Sequence, residues 1–179
     1  GQTTATLDDI RQTWREGAPI AAIVFYRALV QAANTTPIDA LIVALAERGL
    51  NPLPLFATSL KDPMAAALIA GIVENAPPDV ILNGTGFALS TPGGEFTPAP
   101  FNPEAAPVLQ IVFAGMTEDA WVQGLHGLSP RDLAMNVALP EVDGRIFTRA
   151  LSFKEILKRD DRCQCDIIAY KPRLDRINF

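Results

Sequence analysis

Polar side chains that follow apolar segments are the first candidates for chemistry in this 179-residue chain. They are Tyr26, Arg27, Ser59, Lys61, Asn83 and Thr85. Arg27 and Lys61 are the cations among these residues. Cationic side chains form charge-assisted hydrogen bonds with carboxylates and phosphates. The pattern predicts a site for an anionic ligand or for an acidic surface of a partner. The alternative is that these residues only pair with acids in neighbouring loops.

A second candidate is the acidic pair Glu141 and Asp143, which places two carboxylates in one turn. The pair could have a functional role in binding. The alternative is structural, because the dipeptide Asp143-Gly144 is common in turns for conformational reasons alone.

Familiar nucleotide and metal motifs are absent from the sequence. Gly84-Thr85-Gly86 resembles the beginning of a dinucleotide fingerprint, but Leu89 stands where the third glycine belongs, so we expect the glycines to shape a tight turn. His126 is the only histidine and has no ligand at metal-site spacing, and the pair Cys163 and Cys165 is weak evidence by itself. No metal site, bound cofactor or catalytic residue is predicted.

The composition excludes several classes of protein. The net charge of −5 and the lack of a basic stripe argue against nucleic-acid binding. Apolar runs are far shorter than the roughly 20 residues of a membrane-spanning helix. Two cysteines are too few for a disulfide scaffold, and residues 1–9 lack the pattern of a signal peptide. We therefore expect a cytoplasmic protein with reduced thiols.

Alternating apolar segments and helical patterns must position the candidate residues. Thr6 and Asp9 predict a capped helix, and a polar loop is expected after the apolar segment 21–26. Helices are predicted to begin at Thr36-Pro37, Asp62-Pro63 and Ser129-Pro130, with another over residues 117–123. In the second of these, Met64, Leu68, Ile72 and Val73 should share one face. Strands are predicted at residues 21–26, 52–58, 79–83 and 108–114.

This order of elements predicts the fold class. Repeated β–loop–α units with short crossovers indicate an α/β fold, namely a flavodoxin-like doubly wound, mostly parallel sheet with helices on both faces. We expect residues 1–179 to form a single domain. The carboxyl ends of parallel strands meet at one edge, where ligands bind in open α/β sheets. The candidates from Tyr26 to Thr85 should lie on that edge.

Two segments depart from this pattern. Residues 88–107 form a proline-rich loop with five prolines, and such long loops are either functional lids or variable segments. Residues 144–179 are predicted to contain edge strands and the start of a following helix, with a charged loop at residues 158–162.

Several long motifs resemble the large, tetrapyrrole-binding subunit of aerobic cobaltochelatase, and the resemblance covers nearly the whole chain. The motifs are residues 25–31 (FYRALVQ), 34–41 (NTTPIDAL), 48–54 (RGLNPLP), 59–62 (SLKD), 78–83 (PDVILN) and 128–135 (LSPRDLAM). Residues 137–146 (VALPEVDGRI) are shared in milder form with the porphyrin-binding subunit of magnesium chelatase. The chain resembles an early domain of the cobaltochelatase subunit.

The resemblance implies a ligase-type metal chelatase that inserts Co²⁺ into hydrogenobyrinic acid a,c-diamide in cobalamin biosynthesis. The family's partners are the rest of the large subunit, an AAA+ motor that hydrolyses ATP, an adaptor subunit and the corrinoid substrate. By this resemblance the domain alone is inactive, binds no cofactor of its own and carries no residue that can be assigned as catalytic.

Three alternatives stay open at this point. The chain could belong to the porphyrin-binding subunit of magnesium chelatase. The sequences of residues 25–31 and 59–62 argue against this, because they resemble the cobaltochelatase subunit more than the magnesium-chelatase subunit. It could be a docking domain that contacts the motor subunits and never the macrocycle. It could also be an independent small-molecule enzyme, against which the shortage of catalytic side chains counts.

Overall fold

A six-stranded sheet organises the computed structural model, which describes residues 5–90, 100–101 and 106–178. Its strand order is β2-β1-β3-β4-β5-β6, with the first five strands parallel and β6 antiparallel to β5. The predicted α/β class with a mostly parallel sheet is confirmed. The strands are β1 (Ile20–Tyr26), β2 (Asn51–Ala57), β3 (Val80–Asn83), β4 (Val108–Thr117), β5 (Ile146–Asp160) and β6 (Cys165–Pro172).

The helices begin largely where the capping residues predict. Thr6 and Asp9 form the predicted capping box, and Asp62 and Ser129 accept hydrogen bonds from the backbone of the helices that follow them. The polar loop predicted after β1 is wrong, because a short helix forms there. The helices are α1 (Leu7–Arg11), α2 (Arg27–Gln31), α3 (Thr36–Glu47), α4 (Pro63–Asn75), α5 (Glu118–Gln123), α6 (Pro130–Leu133), α7 (Leu139–Glu141) and α8 (Leu174–Ile177), with a π-helical stretch (Ala134–Ala138) between α6 and α7.

Hydrophobic cores lie on both faces of the sheet. Ala22 and Val24 of β1 pack on the face that α4 covers, and the alternate residues Ile23 and Phe25 pack on the face that α3 covers. Side chains of a strand alternate between faces, so a strand covered twice must be apolar throughout. This explains the continuous apolar run of β1 and confirms helices on both faces.

The predicted apolar face of α4 is only partly correct. Ile72 and Val73 pack against the core with Ile69, but Met64 and Leu68 are 82% and 66% exposed. The helix is apolar around most of its circumference, so periodicity alone could not choose between overlapping faces.

Strand β2 forms one edge of the sheet and carries two prolines. The amide of Asn51 donates to the carbonyl of Pro19, so the N–H groups of alternate residues point toward β1. Pro52 and Pro54 therefore stand where an N–H would point away from the sheet, a position that tolerates proline. The outward carbonyl of Pro52 accepts a hydrogen bond of 3.1 Å from Nε1 of Trp14.

The carboxyl-terminal part of the chain forms a long antiparallel hairpin. Strand β5 continues to Asp160, so the charged residues at 158–160 belong to a strand and not to the predicted loop. Strand β6 pairs with β5 between Ser152 and Asp160 and leads into α8. Cys163 and Cys165 lie near the hairpin turn as free, exposed thiols.

No helix in the described part of the chain is long and apolar enough to cross a membrane. Of the proline-rich loop predicted at 88–107, residues 91–99 and 102–105 lie outside the described residues.

Candidate functional site

A cleft of about 750 Å³ opens at the carboxyl edge of the sheet. Its walls come from the end of β1 and from α2, from the segments that follow β2 and β3, from β4, β5 and β6, and from α6 and the residues that flank it. The rings of Tyr26, Phe87, Phe113 and Tyr170 line it. The edge predicted to bind a ligand thus contains a cavity of the size and largely apolar character of small-molecule sites.

Three cations line this cleft, namely Arg27, Arg131 and Lys154. Among the described lining residues the one carboxylate is Asp132, which is 5% exposed. Its Oδ1 accepts from the amide of Gly115 at 2.9 Å and its Oδ2 from Oγ of Ser129 at 2.9 Å. Internal hydrogen bonds thus occupy the carboxylate, and the cleft is electropositive in a chain whose net charge is −5.

The predicted site residues divide between two cavities. Tyr26 and Arg27 line the cleft, whereas Ser59 and Lys61 line a smaller cavity of about 170 Å³. Tyr26, Gly86 and Phe87 line both and separate them. The hydroxyl of Tyr26 donates to the carbonyl of Gly86 at 3.1 Å, and burial raises the pKa of this phenol. The structure therefore does not bring Lys61 into one cavity with Arg27.

Asn83 and Thr85 are buried within the sheet, with 0% and 2% exposure. Oδ1 of Asn83 accepts from the amide and the hydroxyl of Thr85, at 3.1 and 2.8 Å. Nδ2 of Asn83 donates to Oε1 of Gln110, whose Nε2 donates to the carbonyl of Thr85. This network occupies their polar groups, so a ligand would have to open it to reach them.

The acidic pair separates into an exposed and a buried residue. Glu141 faces solvent, whereas Asp143 forms an ion pair of 2.9 Å with Arg145 in which both side chains are at most 5% exposed. The carboxylate of Asp143 also accepts from the amides of Leu89 and Ser90, at 2.7 and 3.0 Å. Asp143 therefore anchors the beginning of the proline-rich segment.

Arg145, the partner of Asp143 in this ion pair, lines the smaller cavity. Its Nη1 donates to the carbonyl of Thr85 at 3.2 Å and to Oε1 of Gln110 at 3.4 Å. Burial lowers the pKa of Arg145, while the charge of Asp143 raises it. The pair thus connects the turn after α7 with the segment that follows β3 and with the beginning of β4.

Gly84 and Gly86 are required by close packing and not by a left-handed turn. A Cβ atom at Gly84 would lie 2.4 Å from the ring of Phe113, and one at Gly86 would lie 2.9 Å from the carbonyl oxygen of Met135. The sequence predicts that these glycines shape a tight turn, whereas the structure shows that they are needed because neighbouring atoms leave no room for a side chain.

The described residues contain no group of three or more side chains able to hold a metal ion, and His126 lies exposed in a loop.

Sequence reasoning missed Arg131, Lys154, Arg145 and Phe87. Arg131 had a signal, since it follows the capped start Ser129-Pro130, but its approach to the cleft depends on how α6 packs over the sheet edge.

Fold and site together define an α/β domain with a cleft at the carboxyl edge of a mostly parallel sheet. The chain belongs to the family described as CobN/Magnesium Chelatase, whose sequence profile matches residues 2–179. The family resemblance drawn from the sequence motifs is confirmed.

Individual relatives agree with this assignment. The chain is 46% identical to the aerobic cobaltochelatase subunit CobN of a Sinorhizobium species over 94% of its length, and 42% identical to that of Pseudomonas aeruginosa over 98%. The magnesium-chelatase subunit ChlH of rice is more distant, at 30% identity over 71% of the chain.

A solved structure is also similar. The catalytic subunit of cobaltochelatase from Mycobacterium tuberculosis superposes with a TM-score of 0.67 and 32% identity over 90% of this chain. The chain spans 13–14% of the length of the cobaltochelatase subunits it matches.

Proposed function

We propose that this chain is a domain of the corrinoid-binding subunit of an ATP-dependent cobaltochelatase. The enzyme inserts Co²⁺ into hydrogenobyrinic acid a,c-diamide during cobalamin biosynthesis in the cytoplasm, as a ligase-type chelatase. The observation that carries this proposal is the identity of 42–46% to two aerobic cobaltochelatase subunits over almost the entire chain. The partners are the rest of the subunit, an AAA+ motor and an adaptor subunit.

We further propose that the electropositive cleft binds the macrocycle. The corrinoid carries carboxylates at its periphery, and Arg27, Arg131 and Lys154 lie around a cavity with apolar walls. A charge-assisted hydrogen bond from one of these cations contributes about 1.5–3 kcal/mol when it is desolvated. The chain alone inserts no metal in this proposal, because it spans only 13–14% of the length of the cobaltochelatase subunits it matches.

The proposed domain has a flavodoxin-like fold. The order β2-β1-β3-β4-β5 and the helices on both faces support a flavodoxin-like domain, to which β6 adds an antiparallel edge. In that fold the ligand site lies at the carboxyl edge beside β1 and β3, where Tyr26 and Gly86 stand here.

The test uses the complete large subunit assembled with its motor and adaptor subunits. The double variant Arg27→Ala, Lys154→Ala should weaken corrinoid binding by about tenfold or more, since two charge-assisted contacts are lost. Absorbance titration measures the affinity, and ATP-dependent cobalt insertion measures turnover. Lys158→Ala is the matched control, because it removes a cation of β5 that is exposed outside the cleft.

Two outcomes would redirect the proposal. If affinity and turnover stay within about twofold of the unaltered enzyme, the docking-domain alternative replaces macrocycle binding by this cleft. If the complete enzyme prefers a porphyrin with Mg²⁺ over the corrinoid with Co²⁺, the magnesium-chelatase alternative is correct.

A further inference from the structure

Phe87 has a backbone conformation that a bulky residue rarely adopts. Its φ is +64°, in the left-handed region, and its side chain is 51% exposed. A bulky side chain at positive φ costs free energy and persists only where the surrounding structure imposes it. Burial of the ring in the core does not offset this cost, because half of the ring remains in contact with solvent.

Hydrogen bonds on both sides of Phe87 impose this conformation. The amide of Phe87 donates to the carbonyl of Met135 at 2.9 Å, and the preceding carbonyl of Gly86 accepts from the hydroxyl of Tyr26 at 3.1 Å. After Phe87, the amide of Leu89 donates to Asp143 at 2.7 Å. The segment is therefore held from β1, from the π-helical stretch and from the turn after α7.

The ring held in this way lies at the boundary of the two cavities. Phe87 lines the cleft and the smaller cavity, and the cleft is further lined by Phe113, Tyr170 and Met116. The cations that surround the cleft can bind charged groups at the periphery of a ligand, but they provide no contact for an extended apolar face. A half-exposed aromatic ring on a restrained backbone provides that contact.

We propose that Phe87 is a substrate-binding residue whose ring packs on one face of the macrocycle while the cleft cations bind its carboxylates. This inference rests on the function proposed above. An aromatic ring buries a large apolar area against an extended apolar surface, and a side chain on a rigid backbone loses less conformational entropy on binding than one on a mobile segment. The left-handed segment thus holds Phe87 at the boundary of the two cavities before the ligand arrives.

The test compares three variants of Phe87 in the complete large subunit with its motor and adaptor subunits. Phe87→Gly removes the ring and suits the left-handed backbone, so the protein should melt no lower than the unaltered subunit. Phe87→Asn also tolerates this backbone, with less freedom than glycine. Both should bind hydrogenobyrinic acid a,c-diamide about tenfold more weakly, which corresponds to about 1.4 kcal/mol. Phe87→Tyr keeps the ring and should stay within about twofold.

Kinetics separate stacking from a structural role. A contact made equally with bound substrate and transition state raises KM for the corrinoid and leaves kcat nearly unchanged. Gln164→Gly is the matched control, because Gln164 also has a positive φ of 50° but is exposed at the hairpin turn. It should change neither KM nor affinity.

The inference is overturned if the ring-free variants bind the corrinoid within about twofold of the unaltered subunit, or if the tyrosine variant loses as much affinity as the glycine variant. In both cases cobalt insertion by the unaltered enzyme still supports the proposed function. If the unaltered subunit binds no corrinoid, the proposed function itself fails, and the inference fails with it.

Discussion

The ion pair between Asp143 and Arg145 connects segments that lie far apart in the sequence. Asp143 holds the amides of Leu89 and Ser90, while Arg145 holds the carbonyl of Thr85. A buried pair of this kind adds little net stability over an apolar replacement, but the removal of one partner leaves an uncompensated charge. The contribution of the pair to stability is therefore best measured by removing one of its two side chains.

We expect Asp143→Ala to lower the free energy of unfolding of the 179-residue chain by about 3–5 kcal/mol, because Arg145 loses its buried counterion. Urea denaturation measures the change. Glu141→Ala removes an exposed carboxylate two residues earlier and should change stability by less than about 0.5 kcal/mol. Equal effects of the two substitutions would contradict the role assigned to the buried pair.

At the level of single residues, the sequence located part of the cleft. Tyr26 and Arg27 can be predicted because they stand at the end of an apolar strand, and strand ends are encoded locally. Lys154 was missed because its place in the cleft depends on the pairing of β5 with β4, which no local pattern encodes. Lys61 was placed with Arg27 because both follow strands, but the wall of Tyr26, Gly86 and Phe87 separates them.

Among the elements, the helix caps follow the sequence most closely, with one informative difference. The side chain of Asp62 accepts from the amides of Met64 and Ala65, whereas α3 begins at Thr36 without a side-chain cap. Thr36 was predicted as the capping residue, but it is the first residue of the helix.

This difference predicts unequal effects of two alanine substitutions. Asp62→Ala should lower the free energy of unfolding by about 1 kcal/mol, since two amides at the start of α4 lose their acceptor. Thr36→Ala should have an effect below about 0.5 kcal/mol, because it is exposed and caps no amide. Both are measured by chemical denaturation. A loss at Thr36 as large as that at Asp62 would show that the predicted cap forms in solution.

Two elements could not be predicted because distant contacts stabilise them. Helix α2 has no side-chain cap at its beginning, so no local signal marks it. The charged end of β5 continues as a strand because β6 pairs with it, and Arg159 of β5 forms an ion pair of 4.0 Å with Asp166 of β6. Strand formation depends on such cross-strand partners more than on intrinsic preference.

For the whole molecule, the chain covers 13–14% of the length of the cobaltochelatase subunits it matches. We expect the 179-residue chain to unfold in one cooperative transition. We also expect it to insert no Co²⁺ into the corrinoid, because it spans only this small part of those subunits. Thermal denaturation and the absorbance spectrum of the corrinoid measure the two properties. The complete subunit, with motor, adaptor and ATP, is the positive control. Cobalt insertion by the chain alone would overturn the assignment of the chemistry to the remainder of the subunit.

The prolines of β2 have a consequence for how copies of this protein meet each other. The exposed edge of a sheet is a template on which strands of other molecules can add, which leads to aggregation. Pro52 and Pro54 remove donors from the outward side of β2, and Trp14 occupies the carbonyl of Pro52. The edge therefore lacks the regular ladder that an incoming strand needs, and the same residues that fit the parallel sheet protect it from intermolecular β-sheet growth.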